Sequence, residues 1–193
     1  GRRRCISIFN ARLIKVRGRV KRIQQLNRVN KRAGRLYNTG AYPQATYGKE
    51  GMGVAPSAMC RLRAMAAQSV KSATAGQCAT TLIWTALGAD NDPAIRVVQD
   101  QIRTWFYFIQ DPIKSIGVGR EQIREAWRRM RNTFYASKNA WGTVKGPLGA
   151  TLATLHQIGW VGVDPCRWIG RIGDDGMPDV WQFPDQDDDL FVL

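Results

Sequence analysis

The stretch Asp92-Pro-Ala-Ile-Arg-Val-Val-Gln-Asp-Gln-Ile-Arg-Thr-Trp-Phe-Tyr-Phe-Ile-Gln-Asp-Pro112 decides the fold class. Within it Ile95, Val98, Ile102, Trp105, Phe106 and Ile109 recur at three- and four-residue spacing, the period of a helix with one apolar face. Pro93 fits the first helical position, where its missing N–H has no partner to lose. Asp111-Pro112 supplies the stop, because the residue before a proline is pushed out of helical conformation. The spacing predicts an amphipathic helix between the two prolines.

The same period recurs on both sides. Toward the C-terminus, residues 119–137 set Ile123, Ala126, Trp127, Met130 and Phe134 on one side, and 147–158 do the same with Leu148, Leu152 and Leu155. Gly117-Val-Gly-Arg-Glu121 reads as the start of the first of these helices; it lacks the third glycine and preceding strand of a phosphate-binding loop. Toward the N-terminus, 79–87 is a short apolar helix stopped by Gly88. Pro56-Ser57 opens another, with Met59, Leu62, Met65, Ala66 and Val70 as its stripe and Arg61 and Arg63 outside it. Residues 71–77 read as a loop of small residues, and 43–54 as a Gly-rich, aromatic connector with one short ordered piece.

Residues 19–37 predict a further helix. Ile23, Leu26, Val29, Ala33, Leu36 and Tyr37 fall within an arc of roughly 140°, and Lys21, Arg28, Lys31, Arg32 and Arg35 lie opposite. Arg19 and Arg22 land on the apolar side, and Gly40 is placed to end the helix in a left-handed cap. Cys5-Ile-Ser-Ile-Phe9, β-branched and aromatic, reads as a strand. So do the short runs 159–163, 167–172 and 180–183, separated by Asp164-Pro165 and Asp174-Asp-Gly176. The expected fold is mainly α, an amphipathic helical bundle with a small C-terminal β-meander and an acidic tail. Its expected divisions are a basic segment 1–72, a helical body 73–160 and a terminal part 161–193.

Composition narrows the function classes. The chain has 193 residues, 44% hydrophobic and 23% charged, ordinary for a folded domain. No apolar run approaches the roughly 20 residues of a membrane helix. The net charge of +14 is concentrated: residues 1–71 hold 17 Lys and Arg against the single acid Glu50, whereas the rest of the chain is near neutral. Seven Asp and no Lys or Arg lie between Asp174 and Asp189.

The four Cys, at 5, 60, 78 and 166, form no C-x-x-C pair and have no zinc-site spacing. Reduced thiols, no signal peptide and an intracellular location, the nucleus included, are expected. The one His, His156, reads as a helix residue near a packing face. Asp174-Asp175 and Asp187-Asp188-Asp189 could in principle hold Mg²⁺. No spaced third ligand accompanies them, so they read as a turn and a solvated tail. No phosphate-cradling, nucleophile-elbow or zinc-helix motif occurs. The expectation is no enzyme, no metal and no cofactor in this chain.

The acid-free basic region points instead to a polyanion. Arrays of Lys and Arg displace counterions from phosphate backbones, and the Arg that dominates here forks onto phosphate oxygens. Candidate nucleic-acid-binding residues are Arg12, Lys15, Lys21, Arg28, Lys31, Arg32 and Arg35, with Tyr42 and Tyr47 as stacking aromatics. Arg120, Arg124, Arg128, Arg129 and Arg131 are set aside, because Glu121 and Glu125 stand at ion-pair spacing from Arg124 and Arg129. The alternative is a structural or interaction module whose basic third docks on an acidic protein partner or on the chain's own Asp-rich tail.

Ala11-Arg-Leu-Ile-Lys15, Arg22-Ile-Gln-Gln-Leu26 and Leu36-Tyr-Asn-Thr-Gly-Ala-Tyr-Pro-Gln-Ala-Thr-Tyr-Gly48 resemble a segment of non-LTR (LINE-type) retroelement reverse transcriptases just downstream of the palm. Gly53-Val-Ala-Pro-Ser-Ala-Met-Cys-Arg-Leu-Arg-Ala-Met-Ala-Ala67 is similar to the retroelement-derived proteins of dinoflagellate algae. Looser likeness continues through Cys78–Trp84, Asp92-Pro93 and Trp141 to Trp160. The resemblance implies a thumb-like helical region that grips an RNA–DNA or DNA duplex, with the catalytic palm upstream. That palm's Tyr/Phe-x-Asp-Asp turn is not found in this chain, where Asp174-Asp175 follows Ile172-Gly173. A chain that begins at Gly1 rather than Met is expected to be a fragment of a longer reading frame.

Overall fold

The structure, a computed structural model, describes residues 6–71, 74–110, 117–173 and 176–183. The described residues are mainly helical, with one small antiparallel sheet at the C-terminal end. In chain order the helices are α1 (Ile6–Val29), α2 (Tyr42–Thr46), α3 (Lys49–Met52), α4 (Pro56–Val70), α5 (Ala79–Leu87), α6 (Pro93–Gln110), α7 (Arg120–Ala136), α8 (Ala140–Thr143) and α9 (Gly146–Gln157). The strands are β1 (Val161–Gly162), β2 (Arg167–Ile172) and β3 (Pro178–Gln182), in that order in the sheet. The Asp-rich tail and Asp174-Asp175 lie outside the described residues.

Chain contacts divide the protein into two units, neither coinciding with boundaries at 72 and 160. One is built from residues 6–49 with Val54–Gln99, the other from Glu50–Gly53 with the described residues from Asp100 onward. In the first, Phe9, Leu13, Val16, Val20 and Ile23 of α1 share a core with Leu62, Met65 and Ala66 of α4, Ile83 of α5 and Val97 of α6. Tyr37 is fully buried there; its hydroxyl donates to the Leu62 carbonyl at 2.9 Å, and burial pushes its phenol well above the usual value.

In the second unit the core is aromatic: Trp105, Trp127, Trp168 and Phe183, closed by Ile123, Leu152 and Leu155. Trp105 donates to the Pro165 carbonyl at 2.9 Å and Trp127 to the Gly162 carbonyl at 3.2 Å, so both indoles are satisfied in the interior. The sheet pairs Val161 with Ile169 and Trp168 with Trp181. Gly162 has no room for a side chain. A Cβ there would stand 2.6 Å from Trp127 Cζ2 and 3.1 Å from Leu152 Cδ2. Gly162→Ala is expected to lower stability by about 1–3 kcal/mol through overpacking. Urea unfolding followed by tryptophan fluorescence measures this, and an unchanged midpoint would refute the tight fit.

Four expectations are corrected. Residues 6–9 are helical, not a strand, because Phe9 is the first member of the 9-13-16-20-23 stripe that buries α1. The helix expected over 19–37 breaks at Asn30, whose backbone is extended (φ −128°, ψ 108°) and whose side chain accepts from Arg32 N at 2.9 Å, capping a separate 3₁₀ segment Lys31–Arg35. Leu26, Val29 and Leu36 therefore lie outside the core, at 53%, 91% and 46% exposure. Gly40 sits inside a π-helical turn, Tyr37–Ala41, rather than in a left-handed cap. Finally, much of the connector after Pro43 is helical, as α2 and α3; Gly48 (φ 74°) and Gly53 (φ 63°) make the breaks.

α6 opens at Pro93 as the sequence predicts and is described to Gln110, but its buried residues after that proline are Val97, Gln101 and Trp105. Ile95, Val98, Ile102, Phe106 and Ile109 are half-buried beside them. Hydropathy misses Gln101 because its amide is satisfied in the interior, donating to Thr151 Oγ1 at 3.0 Å and to the Glu50 carbonyl at 3.3 Å.

Candidate nucleic-acid interface

The buried stripe of α1 fixes where every other side chain of that helix points. At about 100° per residue, Arg12, Lys15, Arg19 and Arg22 fall along one flank, and Arg17, Lys21 and Arg28 along the other. The outermost line between them is neutral, Ala11, Gly18, Gln25 and Val29, with Ile14 and Arg22 bordering it on opposite sides, all exposed. The expected single basic face is thus corrected to two flanks. Lys31, Arg32 and Arg35 are exposed on the 3₁₀ segment rather than on α1. Arg19 and Arg22, expected on the apolar side, are exposed and belong to a flank.

Two of these side chains are anchored. Arg12 donates to the Tyr47 carbonyl and lies 5.1 Å from the centroid of the Tyr47 ring. Arg19 donates to the Gly40 carbonyl at 2.8 Å. The side chains of Lys15, Arg17, Lys21, Arg22, Arg28, Lys31, Arg32 and Arg35 make no hydrogen bond or ion pair among the described residues. Next to the second flank, Arg17 and Arg61 border a small cleft over Leu13, Ile14, Met65 and Gln68, and Arg61 donates to Asn10 Oδ1 at 3.1 Å.

An ordinary solvated helix intersperses charges of both signs. Here Lys15 and Arg19, and again Arg17 and Lys21, are like charges four residues apart. Each such pair costs an isolated helix about 0.2–0.5 kcal/mol. The contrast with α7 is direct: Glu121 pairs with Arg124 at 2.7 Å, and Glu125 with Arg128 at 2.5 Å and Arg129 at 2.7 Å. The hydrogen bond from Arg129 holds the Glu125 carboxyl below its usual value. Arg124, Arg128 and Arg129 of α7 are therefore paired with acids of their own helix, as the spacing of Arg124 and Arg129 predicts.

The two candidate aromatics separate. Tyr42 is 2% exposed, with the Arg96 guanidinium 4.3 Å and the Lys49 ammonium 5.2 Å from its ring centroid, so it is a core residue and offers no face to a base. Tyr47 is 72% exposed beside Arg12 and retains a stacking surface.

Elsewhere, His156 is exposed and packs edge-on against Phe134 and Tyr135, in line with the packing-face reading. Cys60, Cys78 and Cys166 form no disulfide among the described residues. Hydrogen bonding to the exposed Cys78 at the start of α5, first from the Thr81 backbone, lowers its thiol to about 7. Among the described residues no group of three His, Cys, Asp or Glu could hold a metal ion, and the Asp clusters considered for Mg²⁺ lie outside them. Nor is any described helix long and apolar enough to cross a membrane. Sequence reasoning passed over one polar cluster, Asp92 with Arg63, Trp84 and Thr80, because its members are scattered over three helices and their junctions.

Compared with protein-family models, curated proteins and solved structures, the chain matches none. The likeness to retroelement reverse transcriptases rests on the quoted sequence segments.

Proposed function

We propose that α1 and the 3₁₀ segment after it contact the sugar-phosphate backbone of a nucleic-acid duplex, in a non-catalytic role, as the thumb-like part of a retroelement reverse transcriptase would. The observation that carries this reading is the set of eight basic side chains without partners among the described residues, exposed on a segment with no acid before Glu50. Burying a stripe of α1 while leaving both flanks charged keeps the cations fixed in space, which lowers the ordering cost of meeting phosphates. Backbone contact of this kind is largely independent of sequence.

The test is fluorescence anisotropy of a labelled 20-base-pair duplex titrated with the full chain at several salt concentrations. With on the order of six phosphates neutralised, log K is expected to fall against log[salt] with a slope of about −5. No binding at low ionic strength, or a slope near zero, would overturn the proposal. The cleft between Arg17 and Arg61, partly apolar, favours a second reading in which an acidic protein segment docks on the same surface. Duplex DNA that fails to bind, while an Asp-rich peptide binds in a salt-dependent way, would select it.

A further inference from the structure

We infer that α1 lies lengthwise in the major groove of B-form duplex DNA, with its neutral crest toward the base pairs and one cationic flank on each phosphate strand. The inference rests on the backbone-contact reading and goes beyond it by naming the form of nucleic acid and the face presented. Its basis is the arrangement of charge around α1. A helix that merely crosses one strand needs its cations on the outermost line, where phosphates would touch first. In α1 that line carries no charge: Ala11, Gly18, Gln25 and Val29 occupy it, Ile14 and Arg22 border it at equal angles on opposite sides, and the other cations stand further out on either side.

Dimensions and chemistry agree with a groove. An α-helix is roughly 10–12 Å across with its side chains, and the B-form major groove is about 12 Å wide. From Lys15 to Arg28 the cations without partners among the described residues run for about 20 Å along the axis of α1. Gly18 stands at the middle of the crest, and a Cβ there would meet nothing within 4 Å, so the protein leaves the closest approach open. Ile14, 70% exposed, offers methyl groups of the kind that contact thymine methyls, and Gln25 an amide of the kind that pairs with an adenine edge. In A-form helices the major groove is too deep and narrow for this placement.

The experiment compares the full chain on four 20-base-pair probes of one sequence: DNA, RNA, an RNA–DNA hybrid, and DNA whose pyrimidines carry bulky C5 substituents that fill the major groove. Plain DNA is expected to bind at least tenfold more tightly than each of the others. Gly18→Trp, which fills the crest without changing charge, is expected to lose at least tenfold on plain DNA. Thermal unfolding by circular dichroism establishes that the variant folds. Equal affinity for all four probes, with Gly18→Trp unaffected, would overturn the groove placement and leave the backbone reading standing. Loss of binding to every duplex, including binding only to vesicles of anionic phospholipid, would overturn both.

Discussion

Replacing Arg17, Lys21 and Arg28 with Glu is expected to weaken duplex binding by about 1,000-fold at 100 mM salt, without loss of fold. Each replacement removes a cation and adds an anion on one flank of α1, so attraction along a whole strand becomes repulsion. A protein with six to ten phosphate contacts already loses about 10³–10⁵ in affinity through screening alone between 50 and 200 mM salt. The neutral variant with Gln at the same three positions is expected to flatten the salt slope by about 3, roughly one per contact. The fold should survive, because all three side chains are exposed and make no hydrogen bond or ion pair among the described residues. In the Gln variant, removing the Arg17–Lys21 repulsion should raise helix stability by about 0.2–0.5 kcal/mol. Binding and melting temperature are thus expected to move in opposite directions. The control is Arg124, Arg128 and Arg129 of α7 changed to Gln, where Arg124 is paired with Glu121 and the other two share Glu125. An equal loss of binding from the two triples would mean that net charge alone governs binding and that α1 has no special role.

The two helices in this comparison also show what the sequence reveals and what it hides. α7 could be read in detail, since Ile123, Trp127 and Phe134 mark its buried side and its acids sit at pairing distance from its arginines. α4, α5, α6 and α9 were legible for similar reasons: a proline at the start or a glycine at the end, with a strong apolar stripe between. α1 was not. Leu26 and Val29, read as members of its apolar stripe, are exposed at 53% and 91%, so periodicity alone chose the wrong phase. Hydropathy does not register that Asn30 caps a new segment, and that cap is what moves Lys31, Arg32 and Arg35 off the helix. The excess of positive charge was therefore plain, whereas its division into two flanks was not. Tyr42 shows the same limit from the other side, because the nearer of the two cations over its ring, Arg96, comes from α6, distant in sequence.

Asp92→Ala is expected to cost about 3–5 kcal/mol. The side chain of Asp92 is 2% exposed, and both oxygens are shared. Oδ1 accepts from Arg63 Nε at 2.9 Å and from Ala94 N at 3.0 Å. Oδ2 accepts from Arg63 Nη2 at 2.9 Å and from Trp84 Nε1 at 3.2 Å. One carboxylate thus ties α4 and α5 to the first turn of α6, and Arg63 is held further by Thr80 Oγ1 at 2.5 Å. Alanine would strand a half-buried guanidinium and the orphan N–H of Ala94, while the half-exposed Trp84 could turn its N–H to water. Arg63 keeps 29% of its side-chain surface in solvent, which softens the loss and favours the lower end of the range. Against a total stability of about 5–15 kcal/mol, even that end leaves little in reserve. Asp92→Ser separates the two roles, since a serine hydroxyl can still accept from Ala94 N but cannot reach Arg63 as a charged fork. A cap alone is worth about 1 kcal/mol, so serine is expected to recover only that much in urea unfolding. Recovery of most of the loss by serine would instead make Asp92 chiefly a helix cap and reduce its pairing with Arg63 to a minor contribution.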